Sequence, residues 1–536
     1  MPISSKRRPF RPAPIAALDE PRGGPTPQGV TPVPTAQWPD AHDPVWQLVG
    51  LSAEKTLALA ASLDANAFLY FPGLPDYETA RSGEDEWPTP RIIAYCATEA
   101  DVATCLQFVR DNDWLVSIRS GGHNSAGYHL CNGMVIDMSQ MVAVSTLPDA
   151  TSVRVQAAVN FETLDEHLRT ADFAVPGGTC ANVCCAGYYL GGGYSLASRT
   201  FGMGCDAVQS MRVMLASGEI VEVSRTSHTD LYWAMLGGSG GQYGIVLEYV
   251  LEGRQPDSFF GFLAAWPLST AVDVLEVLES KHTFDGKTAK SEKFGYLGCF
   301  SNLVGGDPVA NKGAGPVDPD PSFAVLGMYH GTQAQALAEL ADVFAVGTPT
   351  LRYQKQAKYS VINTELFYFL PYVALRLDQA LGVAASGLVD PTSSPDWAGI
   401  VAQVQKSPNP GNLIAFEPYG GAIAVDDTGA NSYPHRLQKL DLLFDSFWSE
   451  TWQYNKDRPS AQQWLDETRA VVADALNGRT YVNYAERNLV DYRQQYWAES
   501  FDRLLAIKQQ YDPTNVFRFD QSIRWSPGMG DTHPPA

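Results

Sequence analysis

The rhythm of apolar and polar positions changes along the chain and divides it into regions. Between about 90 and 255, short apolar runs alternate with windows of helical period, as in an α+β unit. Thr98-Glu99-Ala100-Asp101 predicts a helix start with a carboxylate at the third position, and Val102, Leu106 and Val109 give that helix an apolar stripe ending near Asn112. Strands are predicted from Trp114 to Ile118, Met134 to Met138, Val153 to Ala158, Met211 to Ala216 and Ile220 to Val223, the last two joined through Ser217-Gly218 as a hairpin. From about 256 to 475, aromatic residues become more frequent, a Gly/Pro/Asp-rich loop runs from Gly305 to Pro321, and helical windows lengthen, which predicts a second domain. Tyr481 to Ile523 holds a helix from about Trp497 to Gln510, stopped by Asp512-Pro513. The first 45 residues, rich in Pro, Gly and Thr, have no period and predict an arm or a surface strap.

Composition narrows the partners. A chain of 536 residues is expected to split into two or three domains. With 59 acidic against 38 basic residues the formal net charge is −21, which argues against nucleic acid and anionic membrane as partners. No run of apolar residues is long enough for a transmembrane helix. Ser5-Lys6-Arg7-Arg8-Pro9-Phe10 has a twin-arginine flavour but no apolar region follows, and there is no Asn-x-Ser/Thr site, so a cytoplasmic location is expected over secretion. The oligomeric state is open.

Two glycine-rich stretches each carry a nucleophile. Arg119-Ser120-Gly121-Gly122-His123-Asn124 follows a predicted strand, where consecutive glycines let backbone N–H groups approach a phosphate. Pro176-Gly177-Gly178-Thr179-Cys180 and Gly187 to Gly193 form the second, which either turns tightly or lies against a flat ligand. Gly237-Gly238-Ser239-Gly240-Gly241 matches a hydrolase pattern, but a helical window precedes it and a strand follows, the reverse of a nucleophile elbow. Cys180, Cys184 and Cys185 lack the C-x-x-C spacing of a zinc site, and no metal is expected.

Together, Arg119-Ser120-Gly121-Gly122-His123, Gly178-Thr179-Cys180-Ala181-Asn182-Val183, Gly191-Gly192-Gly193, Gly240 to Val246, Tyr481-Val482-Asn483-Tyr484 and Tyr511 to Phe517 resemble, in order, the signatures of the berberine bridge enzyme-like flavin oxidases of the vanillyl-alcohol oxidase superfamily. The resemblance runs from about 85 to 255 and again from about 410 to the end. It implies an α+β fold: a PCMH-type FAD-binding domain made of N- and C-terminal segments (46–255 and 476–536, after an arm at 1–45), with an α+β substrate domain at 256–475 whose antiparallel sheet is covered by helices. It also implies FAD as cofactor, bonded to His123 at the 8α-methyl carbon and to Cys180 at C6, with loop N–H groups favouring the Cys180 thiolate. Arg119, Ser120, Gly121, Gly122, Asn124, Gly178, Thr179, Gly187, Gly192, Gly244, Val246 and Asn483 would complete the cofactor site.

The activity implied is hydride transfer from a small organic substrate (an alcohol, a sugar hemiacetal or a C–H beside a heteroatom) to the flavin, with dioxygen as acceptor and hydrogen peroxide as product. Tyr484 or Glu417 would serve as base, and Val183 would sit as the gate on the oxygen-reacting face. A biosynthetic oxidative cyclase or dehydrogenase, or a flavin binder without turnover, are the alternatives. Two positions depart from the family pattern. Cys184, followed by Cys185, stands where Gly is usual and could crowd Cys180 or compete with it as the attacking sulfur; Ser125 stands where sugar-oxidising members have Tyr.

Overall fold

The structure is a computed structural model that describes residues 30–82, 87–255, 258–286, 291–301, 322–367, 381–408, 412–425, 429–448 and 458–524. Most of the N-terminal arm and the loop from Gly305 to Pro321 lie outside these residues. Three sheets and their helices make an α+β fold. The first has strands β1 (Phe68–Tyr70), β2 (Ile92–Tyr95), β3 (Val116–Arg119) and β4 (Met134–Asp137) in the order β1-β2-β4-β3. β2, β4 and β3 run parallel and β1 antiparallel to β2. β2 and β4 are buried throughout, as parallel strands covered on both faces require. Helix α1 (Glu99–Asp111) crosses between β2 and β3, and its start is a capping box: Asp101 N–H donates to Thr98 Oγ1 at 3.2 Å and Thr98 N–H to Asp101 Oδ2 at 2.8 Å. Val102, Leu106 and Val109 are buried and Asn112 caps the end, both as the sequence predicts.

The second sheet, in the order β5-β6-β9-β7-β8, is antiparallel: β5 (Val144–Thr146), β6 (Ser152–Gln156), β7 (Val208–Leu215), β8 (Ile220–Ser224) and β9 (Gly244–Glu252). The β7–β8 hairpin turns at Ser217-Gly218, where Gly218 has φ +89°. Between β6 and β7 the chain makes helix α2 (Cys185–Gly191).

The third sheet has seven antiparallel strands in the order β13-β10-β12-β11-β15-β16-β14: β10 (Phe259–Pro267), β11 (Phe294–Ser301), β12 (Ser322–His330), β13 (Thr350–Ala357), β14 (Leu381–Val389), β15 (Leu413–Pro418) and β16 (Leu440–Trp448). Alternation along its strands gives it two apolar faces. Helices α3 (Ala271–His282), α5 (Trp397–Gln405) and α6 (Arg458–Val472) cover one, through Leu275, Leu278, Trp397, Ile400, Trp464 and Leu465. The other meets helix α4 (Tyr359–Phe367) and the glycine-rich unit, through Leu263, Leu297, Leu413, Ala415 and the half-buried Leu443.

The C-terminal helix α7 (Phe501–Tyr511), preceded by a 3-10 turn at Ala498–Ser500, starts four residues later than predicted. Its partner is the segment before β9. The buried Lys508 ammonium donates to the Gln242 carbonyl (2.6 Å), Asp512 Oδ2 (2.6 Å) and the Phe517 carbonyl (2.7 Å), and the Arg503 guanidinium lies 3.8 Å over the Trp233 ring. Gln242 Oε1 also accepts the Ile523 N–H at 2.8 Å. Among the described residues no helix is long and apolar enough to cross a membrane.

Candidate active site

A cavity of about 500 Å³ opens where the three sheets meet, within the size range of cofactor and ligand sites. One wall is glycine-rich loop and α2; the other is the sheet face of β15, β16 and β14. Of the residues the sequence singles out, His123, Cys180, Arg119, Ser120, Gly121, Gly122, Asn124, Gly178, Thr179, Gly187, Gly244, Val246, Asn483, Val183, Tyr484 and Glu417 all line it.

The loop after β3 is built before any ligand arrives. Arg119 Nε pairs with the Asp137 carboxylate, Nη1 donates to the Arg81 carbonyl at 3.0 Å and Nη2 to Tyr95 Oη at 3.1 Å. Its side chain therefore anchors the loop from behind instead of reaching into the cavity. Gly122 turns the chain at φ +69°, and Asn124 Oδ1 accepts the N–H groups of Ala126 (3.0 Å) and Tyr128 (3.1 Å), so this side chain too serves the turn. Gly121 is a close approach: a Cβ there would stand 2.9 Å from Cys184 Sγ.

His123 is exposed to the cavity though walls surround it. That enclosure lowers its pKa, with a hydrogen bond to Asn182 offsetting part of the effect, so the imidazole is held uncharged. Cys180 is the one exposed cysteine of the chain. Contrary to the expectation of a favoured thiolate, burial, Glu417 and Asp445 push its thiol up to about 11, against a smaller opposing effect of Thr179. Cys184 also lines the cavity but is set back: it is 3 % exposed, its thiol donates to the Ala158 carbonyl at 3.3 Å, and burial raises its pKa. Cys185 is fully buried in the core.

The glycine triplet beside α2 departs from expectation. Gly192, expected at the cofactor, does not line the cavity; a Cβ on it would meet the Tyr433 ring at 2.9 Å, with φ at +125°. Gly191 admits Asn483, whose Nδ2 donates to the Tyr188 carbonyl and to Tyr481 Oη, both at 3.0 Å. Gly187 is the opposite case, since a Cβ there meets nothing within 4 Å and would project into the cavity.

On the facing wall, Tyr484 Oη donates to both oxygens of Glu417 at 3.1 Å each, and the Tyr484 ring packs edge-on to Tyr481 with centroids 5.0 Å apart. Glu417 is 2 % exposed and burial pushes it up to about 8, the Tyr484 hydrogen bond acting the other way. Tyr484 is itself raised well above the ordinary phenol value by burial and by Glu417. Sequence reasoning missed Asp445. It lies on β16 across from Leu413 of β15 and Ala384 of β14, lines the cavity, and is pushed up to about 7 by burial. Its signal was available as the alternation Asp441-Leu443-Asp445 along a strand otherwise apolar on its other face.

Polar groups without a protein partner mark where a ligand would be held. Tyr128 Oη, Gln242 Nε2 and Trp497 Nε1 are buried, line the cavity and have no hydrogen-bond partner among the described residues. With the side-chain-free surface at Gly187, they suit an extended ligand that carries acceptors and a flat body.

Comparison with known proteins agrees. Residues 90–224 match the FAD binding domain and residues 480–524 the berberine and berberine like domain. The chain is similar to the uncharacterized FAD-linked oxidoreductase YgaK of Bacillus subtilis (strain 168), 25% identical over 84% of this chain and 95% of the relative. It is also similar to berberine bridge enzyme-like 19 of Arabidopsis thaliana, 25% identical over 81% of this chain and 78% of that protein. A solved chitooligosaccharide oxidase shares the fold with a TM-score of 0.71 at 19% identity, covering 90% of this chain and 100% of that one.

Proposed function

We propose that this chain, an FAD-linked oxidoreductase of the berberine bridge enzyme-like type, oxidises a small organic substrate at an alcohol, a hemiacetal or a C–H beside a heteroatom, holds its FAD covalently through His123 and Cys180, and uses dioxygen as acceptor to give hydrogen peroxide. The observation that carries this reading is the opposition of two exposed nucleophiles, His123 and Cys180, on one wall to the Tyr484–Glu417 pair across the cavity. When bound, FAD supplies the acceptor for a hydride leaving the substrate.

The residues of the chain do the rest. His123, held uncharged, presents a ring nitrogen lone pair for attachment, whereas the Cys180 thiol keeps its proton until a base removes it. Tyr128, Gln242 and Trp497 offer unpaired polar groups for the cofactor, and the 119–124 and 239–244 backbones offer close approach. Tyr484 is the outer member of the acid–base pair and Glu417 the inner one. As a substrate O–H or N–H gives its proton to Tyr484 Oη, the phenol proton passes along the existing hydrogen bond to Glu417, so the carboxylate form of Glu417 is the active one. Val183 lines the cavity from the loop between Cys180 and α2, in place to set access of dioxygen.

Acid precipitation of the purified protein tests the tether. Yellow colour retained in the pellet, and proteolytic peptides containing His123 and Cys180 that carry flavin mass, are expected. Complete release of pigment to the supernatant would end the covalent reading, and release from only one of the two peptides would reduce it to a single bond.

A further inference from the structure

The substrate side of the cavity has a narrow chemistry. Among the described residues its sheet wall includes Leu297, Ala384, Leu413, Ala415 and Leu443, with Glu417 and Asp445 as the only side chains bearing polar groups. Cross-strand register puts both carboxylates on the same face: Glu417 lies opposite Asp441, Ala415 opposite Leu443, and Leu413 opposite Asp445. The two are thus four residues apart along the strands, roughly 13 Å at the usual rise, with small and apolar side chains between them. Cys180 lines the same cavity and feels the charge of both.

Among the described residues, neither carboxylate has a cation within ion-pair distance. The two arginines that line the cavity come from the opposite wall and are engaged there, Arg119 with Asp137 and Arg518 Nη1 with the Asn515 carbonyl at 2.9 Å. His129, also on that side, is driven down to about 3 by burial and Arg119 and carries no charge. The neighbouring hydroxyls are taken: Tyr194 Oη donates to the Pro418 carbonyl (3.0 Å), Tyr188 Oη to the Tyr194 carbonyl (2.7 Å) and Tyr484 Oη to Glu417. Behind Glu417, both oxygens of the buried Asp441 lack a hydrogen-bond partner among the described residues, which adds acidity to this wall and no donor.

A sugar needs a set of donors and acceptors spread over the wall that binds it, and this wall supplies none apart from the two carboxylates. Apolar surface with one free carboxylate suits a different ligand: a hydrophobic body bearing one ammonium group. Resting on the function proposed above, we infer that Asp445 is a binding site for the protonated amine of a substrate that is apolar along its middle, and whose reacting C–H, with the hydroxyl or N–H beside it that gives up its proton, lies at the other end of the strip beside Tyr484 and Glu417. Asp445 is a specificity residue in this arrangement, and it touches the substrate without sharing in the proton transfer.

Titration calorimetry of the flavin-loaded protein with 3-phenylpropylammonium, 3-phenylpropanol and 3-phenylpropionate at pH 8 tests this. The ammonium compound is expected to bind at least about tenfold more tightly than the neutral isostere and the carboxylate to bind most weakly. The preference should shrink as pH falls through about 7, where Asp445 gains its proton, and should vanish in Asp445→Asn while the neutral compound binds unchanged. Equal binding of the amine and alcohol by the parent protein, or a preference that survives Asp445→Asn, overturns the inference. Anaerobic mixing separates this from the broader reading: flavin bleached by uncharged alcohols or sugars and never by amines overturns the amine site alone, whereas flavin that no alcohol, sugar or amine reduces removes the oxidase and the amine site with it.

Discussion

On one wall of the cavity the functional groups come from short contiguous stretches of chain, 119–124 and 177–187, whereas on the other Glu417, Asp445 and Tyr484 converge from β15, β16 and the segment after Gly478. The first wall presents mostly backbone and small side chains, with Arg119 turned inward onto Asp137. The second presents carboxylates with no cation, at pKa values near 7 and 8 because burial disfavours their charge. Such a division suits different tasks. Close backbone approach and two nucleophiles serve to hold a large flat cofactor, while desolvated acids that titrate near neutrality serve to move protons and choose substrates.

The largest effect should come from the chemical wall. Glu417→Gln keeps the shape and a hydrogen bond to Tyr484 but removes the proton acceptor, and flavin reduction in anaerobic stopped-flow should slow by about 10²- to 10⁴-fold. In the parent protein the same rate should rise with pH through about 8, because Glu417 must lose its proton to act. Tyr484→Phe should slow the reaction by removing the relay and move the remaining rise to higher pH, since the hydrogen bond from Tyr484 lowers the Glu417 pKa. A flat profile between pH 6 and 9 in the parent would show that Glu417 is not the acceptor.

On the other wall, two glycines separate holding a ligand from building the fold. Gly187→Val places methyl groups in open cavity, so the protein should fold with a near-normal melting temperature yet be isolated with little or no flavin. Gly192→Ala should do the reverse: φ +125° and a 2.9 Å clash with Tyr433 should cost stability, on the order of 1–3 kcal/mol, while any folded protein retains its flavin. Flavin content by absorbance and melting by circular dichroism read both. Full flavin content in Gly187→Val would mean that the cofactor does not cross α2.

This contrast also explains what could be read in the sequence. Contiguous motifs survive in one dimension, so the 119–124 loop, the capping box at Thr98 and Asp101, and the β7–β8 hairpin were all legible before the fold. Glu417 and Tyr484 were legible only through family resemblance. Asp445 left only a trace in the sequence, its alternation with Asp441 and Leu443, because its meaning depends on the register that sets it beside Leu413 and on the sheet order that puts β16 next to β15. Gly192 misled for a related reason: a glycine can be required by a ligand or by a neighbouring ring, and only the Tyr433 side chain from more than 200 residues away decides which. Arg119 lines the cavity as expected, but that its charge is taken up by Asp137 on the adjacent strand shows only in the fold.

A smaller effect is expected at Val183, which belongs to the holding wall but faces the reaction. Val183→Leu adds one methylene to a side chain lining the cavity. If this residue sets the access of dioxygen, reoxidation of reduced protein in aerated buffer should slow about tenfold, a barrier change near 1.4 kcal/mol, with anaerobic reduction by substrate unchanged. Slowing of both half-reactions to the same extent would instead mean a general distortion of the loop.

The smallest effect should be at Cys184, and its smallness is what makes it informative. Its thiol donates to the Ala158 carbonyl beneath Gly121 and the residue is 3 % exposed, whereas Cys180 is the exposed cysteine of the cavity lining. Cys184→Ala should cost on the order of 1 kcal/mol through the lost contact and a small void, and should leave the flavin-bearing peptides unchanged. Cys180→Ala should change stability as little but remove the flavin mass from its own peptide, leaving attachment at His123. Two sulfurs four residues apart would then differ in chemistry because one is buried and hydrogen-bonded and the other is exposed. Flavin found on Cys184 in the parent protein would break that distinction, since it would require the segment at 182–184 to turn the buried Cys184 outward.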